Sequence, residues 1–236
     1  MQHETRPMTA RPSWRAAVLP VILFRLAAGV GVIAGLVLWP AGTFDYPQAW
    51  VYLAALFGPT LLIGAYLYWR DPELLERRMR TRETENPQRT VVAVFVVLLL
   101  MLYVVPGFDH RYGWSHIPAW LSLLADVAIL IGFLLFILTI RENRFASRVI
   151  EVQEGQTVIS TGPYTLVRHP MYLAMILIFG FTPLALGSSW GLLPALPVPL
   201  LLAKRIENEE QLLRRDLAGY DAYTRKVRFR MVPFIW

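Results

Sequence analysis

An all-α integral-membrane fold of about six transmembrane helices is what this sequence predicts, and three observations predict it. Hydrophobic residues make up 56% of the 236, and mean hydropathy is +0.44, more apolar than ordinary soluble domains. The apolar residues fall in runs close to the ~20 residues that a helix needs to cross a hydrocarbon layer. The basic residues gather on alternate sides of those runs. The 17 prolines and 8 tryptophans fit the same class, since both are common in membrane proteins and tryptophan favours the interfaces.

In chain order, residues 17–39 form the first run, 46–69 the second, 90–105 a slightly short third and 117–140 the fourth. Residues 171–203 are too many for one crossing and are interrupted by Gly187-Ser188-Ser189-Trp190-Gly191. They read as two short helices forming a hairpin, its second arm bent by Pro194, Pro197 and Pro199. The count is six spans, or five if the hairpin is only partly inserted. A four-span region over 1–140 and a catalytic region over 141–236 make up one compact unit. No cleavable signal peptide is expected, because the first run is long and no small-residue cleavage site follows it.

The charges set orientation. Arg6, Arg11 and Arg15 precede the first run, and Arg70, Arg77, Arg78, Arg80, Arg82 and Arg89 lie between the second and third. Arg141, Arg144, Arg148 and Arg168 follow the fourth, while Lys204, Arg205 and further basic residues follow the last. The opposite loops carry only Arg111. This positive-inside pattern places both termini in the cytoplasm and fits a prokaryotic inner membrane. The net charge of +6 is therefore a topology signal, and no nucleic-acid partner is expected. Cysteine is absent, which removes disulfides, thiolate metal sites and a cysteine nucleophile; no metal is expected. Two charges lie inside spans, Arg25 and Asp126, each roughly 13 Å deep at 1.5 Å per residue. A pairing between them across helices is one expectation; the other is that Arg25 snorkels inward while Asp126 faces a polar cavity.

The long polar segments all fall on the basic side, so the chemistry is expected there. Residues 70–89 mix charges densely and read as a solvated helix and turn. Residues 148–160 alternate around Glu154-Gly155 and suggest a short hairpin. Gly162-Pro163 punctuates the chain, and Pro170 opens the next helix, where its missing N–H costs little. The free N–H groups of that helix start are a candidate carboxylate site. Beyond Lys204 a helix carries Ile206, Glu210, Leu213 and Leu217 on one stripe, with Arg205–Glu209 and Glu210–Arg214 at salt-bridge spacing. Gly219 stops it, and Asp221 is a candidate cap for a further turn.

The ordered set Asn143-x-Phe145-x-Ser147, Gly162-Pro163-Tyr164, Val167-Arg168-His169-Pro170-x-Tyr172, Arg205-Ile206-x-x-Glu209-Glu210 and Tyr220-x-x-Tyr223 resembles the isoprenylcysteine carboxyl methyltransferase family. Related motifs occur in membrane phospholipid N-methyltransferases and, more weakly, in sterol reductases. The resemblance covers residues 140–235. It implies S-adenosylmethionine as cofactor, a pocket built from the C-terminal half and a C-terminal helix capping it. No Rossmann motif is present: Gly29-Val30-Gly31-Val32-Ile33-Ala34-Gly35 has the wrong glycine spacing and lies within the first span, where a helix-packing role is expected.

Given that cofactor, the residues divide by chemistry. Arg168, or backbone N–H groups around His169, Pro170, Met171 and Tyr172, suits its carboxylate. Glu209 or Glu210 suits its ammonium or ribose hydroxyls. Tyr164, Tyr172, Tyr220 and Tyr223 offer aromatic faces to the adenine or the sulfonium, and Met171 walls the site from lipid. His169 acts by ring or by backbone. Arg205 orients a carboxylate acceptor, which is already ionised and needs no base. The resemblance implies a lipophilic acceptor at the membrane, such as the carboxylate of a prenylated cysteine. Thiol or lipid-amine acceptors need deprotonation, giving His169 or Glu209 that role. An NADPH-dependent sterol-type reductase and a non-enzymatic assembly or transport component are the other readings.

Overall fold

The computed structural model describes residues 12–72, 74–75, 86–143, 145 and 155–236; within the helices, residues 12–17 and 86–92 are described by backbone alone. The described residues are helical, without strands. Four long helices open the chain: α1 (Pro12–Ala41), α2 (Pro47–Arg70), α3 (Asn86–Tyr112) and α4 (Ala119–Glu142). Val18–Ala41, Pro47–Arg70, Ala93–Tyr112 and Ala119–Glu142 are each long and apolar enough to cross a membrane. Their outward faces are apolar, as at Phe24, Leu62, Val97 and Leu134. Such a surface is costly in water and natural in lipid.

Short turns join α1 to α2 and α3 to α4 at one end of the bundle. Trp39, Phe44, Trp50, Tyr112, Trp114 and Trp190 are exposed there, an aromatic belt of the kind found at headgroup level. Helix α3 passes the sequence boundary at residue 105 and continues through Pro106 to Tyr112. The polar residues beyond Pro106 disguise that continuation. Asp109 is 1% exposed and accepts hydrogen bonds from the Ser115 N–H at 2.8 Å and from the Ser115 and Ser188 hydroxyls. The buried acid is thereby satisfied, and it ties the loop at 113–118 to the turn at 186–191.

The expected hairpin is present, with unequal arms. Its first arm is α5 (Pro170–Ala185), a 16-residue apolar helix lying antiparallel along α4. The return is broken by its prolines into α6 (Leu192–Ala195) and α7 (Val198–Asp216), and α7 runs directly into the polar segment. Helix α8 (Tyr220–Lys226) follows a left-handed Gly219. Asp221 is not its cap: it lies inside the first turn and pairs with Arg214.

Two glycines set the packing distances. A Cβ on Gly107 would lie 2.4 Å from the Val37 carbonyl oxygen on α1, and one on Gly132 would meet Ile178, Leu177 and the Ala174 carbonyl within 3.1 Å on α5. Of the glycines expected to pack α1, a Cβ on Gly31 or Gly35 would meet nothing within 4 Å among the described residues, and one on Gly29 would make an ordinary contact with Phe57 at 3.7 Å. Tyr52 on α2 joins α3 and α5 through hydrogen bonds with Tyr103 at 3.3 Å and Thr182 at 3.1 Å.

Arg25 and Asp126 do not pair. Helix α1 packs on α3 and α2, whereas α4 packs on α5 and α2. Arg25 is exposed on the lipid-facing side; Asp126 is buried, and its Oδ1 has no hydrogen-bond partner among the described residues. Arg6, Arg11, Arg77, Arg78, Arg80, Arg82, Arg144, Ser147 and Arg148 lie outside the described residues. So do the first arm of the 148–160 hairpin and most of the 70–89 segment.

Candidate functional site

The site is assembled at the basic end, where α4, α5 and α7 terminate or begin near one another. Helix α4 closes at Asn143, whose N–H donates to the Thr139 carbonyl at 3.0 Å. The Asn143 Nδ2 donates to the Tyr164 hydroxyl at 2.9 Å, and its Oδ1 accepts from the Phe145 N–H at 3.0 Å. Gly162 brings the returning chain under α4: its φ is +55°, and a Cβ there would lie 2.5 Å from Glu142 Cγ. Pro163 and Tyr164 then sit in a single 3-10 turn, Gly162–Thr165.

Arg168 and His169 follow, their backbone amides bonded to the tail at 229–230. The Arg168 N–H donates to the Phe229 carbonyl at 3.0 Å, and the His169 N–H donates to the Arg230 carbonyl at 2.7 Å. The Tyr172 N–H bonds to the His169 carbonyl. The helix-start amides of His169 and Tyr172 are therefore committed within the protein.

Helix α7 presents Glu209 and Glu210 to different surroundings, because neighbouring residues on a helix diverge by about 100°. Glu210 faces inward with Ile206 and is 3% exposed. Its Oε1 accepts from Arg168 Nε at 2.7 Å and from His169 Nε2 at 3.2 Å, with the Tyr220 hydroxyl at 3.5 Å. Its Oε2 accepts from Arg230 Nε at 3.1 Å. Burial alone would raise the Glu210 pKa. The hydrogen bonds and charges of His169 and Arg168 outweigh burial and hold it at about 2. Arg168 Nη1 donates at 2.8 Å to both the Val227 and Arg228 carbonyls, so most of its guanidinium serves the fold.

Glu209 stands on the other side of this hub. Its Oε2 accepts from the Tyr172 hydroxyl at 2.6 Å, and the Tyr172 hydroxyl oxygen accepts from Arg205 Nε at 3.2 Å. His169 Nδ1 lies 3.9 Å from Glu209 Oε1. Beside this row lies a partly open hollow with both polar and apolar walls. Asn143, Tyr164, Arg168, His169, Pro170, Met171, Tyr172, Arg205, Glu209, Tyr220 and Tyr223 reach its wall. Every sequence-predicted site residue is thus brought together at the hollow except Glu210, which lies behind the wall. Tyr220 and Tyr223 are raised in pKa, first by burial, and remain neutral; the Tyr223 hydroxyl donates to the Tyr164 carbonyl at 2.8 Å.

Sequence reasoning missed several contributors. Residues 156–159 line the hollow in an irregular segment, and Leu212, Leu213 and Leu217 give it an apolar side. The largest omission is the tail at 227–230, which supplies four carbonyl acceptors and Arg230. Its signal was available: Val227-Arg228-Phe229-Arg230-Met231 alternates as an extended segment does. Among the described residues, no group of three or more histidines and acids is placed to hold a metal ion.

The donor set fits the S-adenosyl group that the motif resemblance implies. One hollow offers cations at Arg168 and Arg205, a carboxylate at Glu209, phenol rings and an aliphatic side. These match a carboxylate, an ammonium and ribose, a purine and a sulfonium. The curated nickel-cobalt-cadmium resistance protein NccN of Alcaligenes xylosoxydans xylosoxydans is 23% identical over 132 residues, 56% of this chain and 58% of that protein. The chain thus spans under two thirds of that relative. Residues 120–218, from the start of α4 to just past the end of α7, match the phospholipid methyltransferase family, which is related to the isoprenylcysteine carboxyl methyltransferases that the motifs resemble.

Proposed function

We propose that the protein is an integral-membrane, S-adenosylmethionine-dependent methyltransferase with both termini in the cytoplasm, acting on a lipophilic acceptor. The observation that carries this reading is the joining of two distant polar segments, Tyr164–Tyr172 and Arg205–Tyr223, around one mixed-charge hollow at the basic end of a lipid-facing bundle. When bound, the cofactor supplies a methyl carbon activated by a sulfonium. Glu209 takes the ammonium or ribose hydroxyls, and the outer edge of Arg168 takes the carboxylate. The faces of Tyr164, Tyr172, Tyr220 and Tyr223 receive the purine and the sulfonium.

The preferred acceptor is the carboxylate of a prenylated cysteine or a similar lipophilic acid. Such a group is ionised at neutral pH, so the chain has only to align it and exclude water. Arg205, held by the Tyr172 hydroxyl, orients it, and Met171 bounds the site toward the bilayer. The family match favours a second reading, a phospholipid amine. An amine must lose a proton, and Glu209 is the carboxylate in the hollow placed to accept it.

The test is an incubation of the purified protein with radiolabelled S-adenosylmethionine and a panel of lipophilic acids, thiols and phospholipid amines. Label in a base-labile ester of the prenylcysteine analogue is expected. Label in the amine instead assigns the second reading. No transfer to any of them, with NADPH oxidised in the presence of a sterol, would overturn methyl transfer.

A further inference from the structure

A second hollow opens at the basic end, apart from the candidate active site. It lies between the last turns of α2 and α4 and is open to its surroundings. Its floor is Leu67, Leu74 and Ile140, which are 4%, 3% and 1% exposed. Met171, which walls the first hollow, packs on the apolar cluster that contains these three residues, and the two hollows have no lining residue in common.

The rim is charged. Arg70 is the last residue of α2, and Arg141 stands one residue before the end of α4; both are exposed and both line this hollow. One arginine in a last turn is ordinary dipole chemistry, but two from neighbouring helices above one apolar floor are the arrangement that a ligand needs. Asp71 also lines the space and is engaged locally, its Oδ1 accepting the Leu74 N–H at 3.1 Å. Among the described lining residues, two guanidinium groups and one carboxylate sum to +1, a charge that suits one phosphodiester. Tyr66 and Leu138, about one turn along each helix from the arginines, are exposed on the lipid-facing surface, so the floor leads toward acyl chains rather than toward water.

We propose that this hollow seats the headgroup of a membrane phospholipid. Arg70 and Arg141 clamp its phosphodiester, and the first acyl carbons rest on Leu67, Leu74 and Ile140. The proposal does not depend on the methyltransferase reading.

The test is native mass spectrometry of the full chain released from nanodiscs containing phosphatidylglycerol, comparing wild type, Arg70→Gln/Arg141→Gln and Arg111→Gln. Arg111 lies at the opposite end. Wild type and Arg111→Gln are expected to retain a lipid, and the double variant to lose retention roughly tenfold or more. Should the double variant fail to fold, Arg141→Gln alone is expected to lose about half that effect on a logarithmic scale. Equal retention by wild type and the variant measured overturns the site. Displacement of the lipid by millimolar inorganic phosphate as readily as by short-chain phosphatidylglycerol also overturns it, since that outcome describes an ion site and not a lipid seat.

Discussion

At the scale of single residues, Glu210 and Glu209 have different work. Glu210 is buried among Arg168, His169, Tyr220 and Arg230. Glu210→Ala leaves two guanidinium groups without their carboxylate, a loss of about 3–5 kcal/mol by analogy with broken buried pairs, read as a lower thermal midpoint in detergent. Arg168→Ala should cost a similar amount. Its own burial pushes the Glu210 pKa up, and His169 and Arg168 more than reverse this, to about 2. A depressed carboxylate stabilises the folded state above its unfolded pKa, and that contribution fades as pH falls from about 4.5 toward 2. Melting midpoints of wild type should therefore drop across that window, and Glu210→Gln should remove this component of the drop. Glu209→Gln should barely move the midpoint while weakening cofactor binding. Arg168 and Glu210 were legible in the sequence as site residues, each assigned to the cofactor, while helical spacing set Glu210 opposite Arg214; their pairing with each other is a finding of the structure. The sequence did not reveal that the partnership consumes most of Arg168, because the acceptors at residues 227–230 come from a third segment.

At the scale of elements, the decisive contacts are helix on helix at glycine. Gly132→Ala would push a methyl group against Leu177 and Ile178 side chains and the Ala174 carbonyl. Overpacking of this kind costs about 1–3 kcal/mol. Gly31→Ala and Gly35→Ala meet nothing within 4 Å and should be neutral or slightly stabilising by helix propensity. Thermal melts of the three variants check the contrast. Periodicity could not make this distinction, since glycine spacing resembles a packing motif whether or not a neighbour arrives. The four long helices were legible because apolar length is sufficient to specify them. The end of α3 was not, because Asp109 looks like a surface residue until Ser115 and Ser188 meet it. A chain ending at Lys226 should lose the carbonyl partners of Arg168 and His169; we expect increased proteolysis at 155–168 with the long helices still protected.

At the scale of the whole molecule, an apolar bundle holds a polar hollow at its basic end. Composition and the positions of arginine made the bundle readable, and the ordered motifs made most of the hollow's wall readable. The irregular strip at 156–159 escaped because it follows no period. The central claim is that this hollow binds an S-adenosyl group between Glu209 and the surrounding tyrosines. Calorimetric titration of the purified protein with S-adenosylhomocysteine, and in parallel with NADPH, tests it most directly. Saturable binding of S-adenosylhomocysteine at one site, weakened about tenfold or more by Glu209→Gln and absent for NADPH, is the predicted result. Binding of NADPH alone, or S-adenosylhomocysteine binding that Glu209→Gln leaves unchanged, would contradict it.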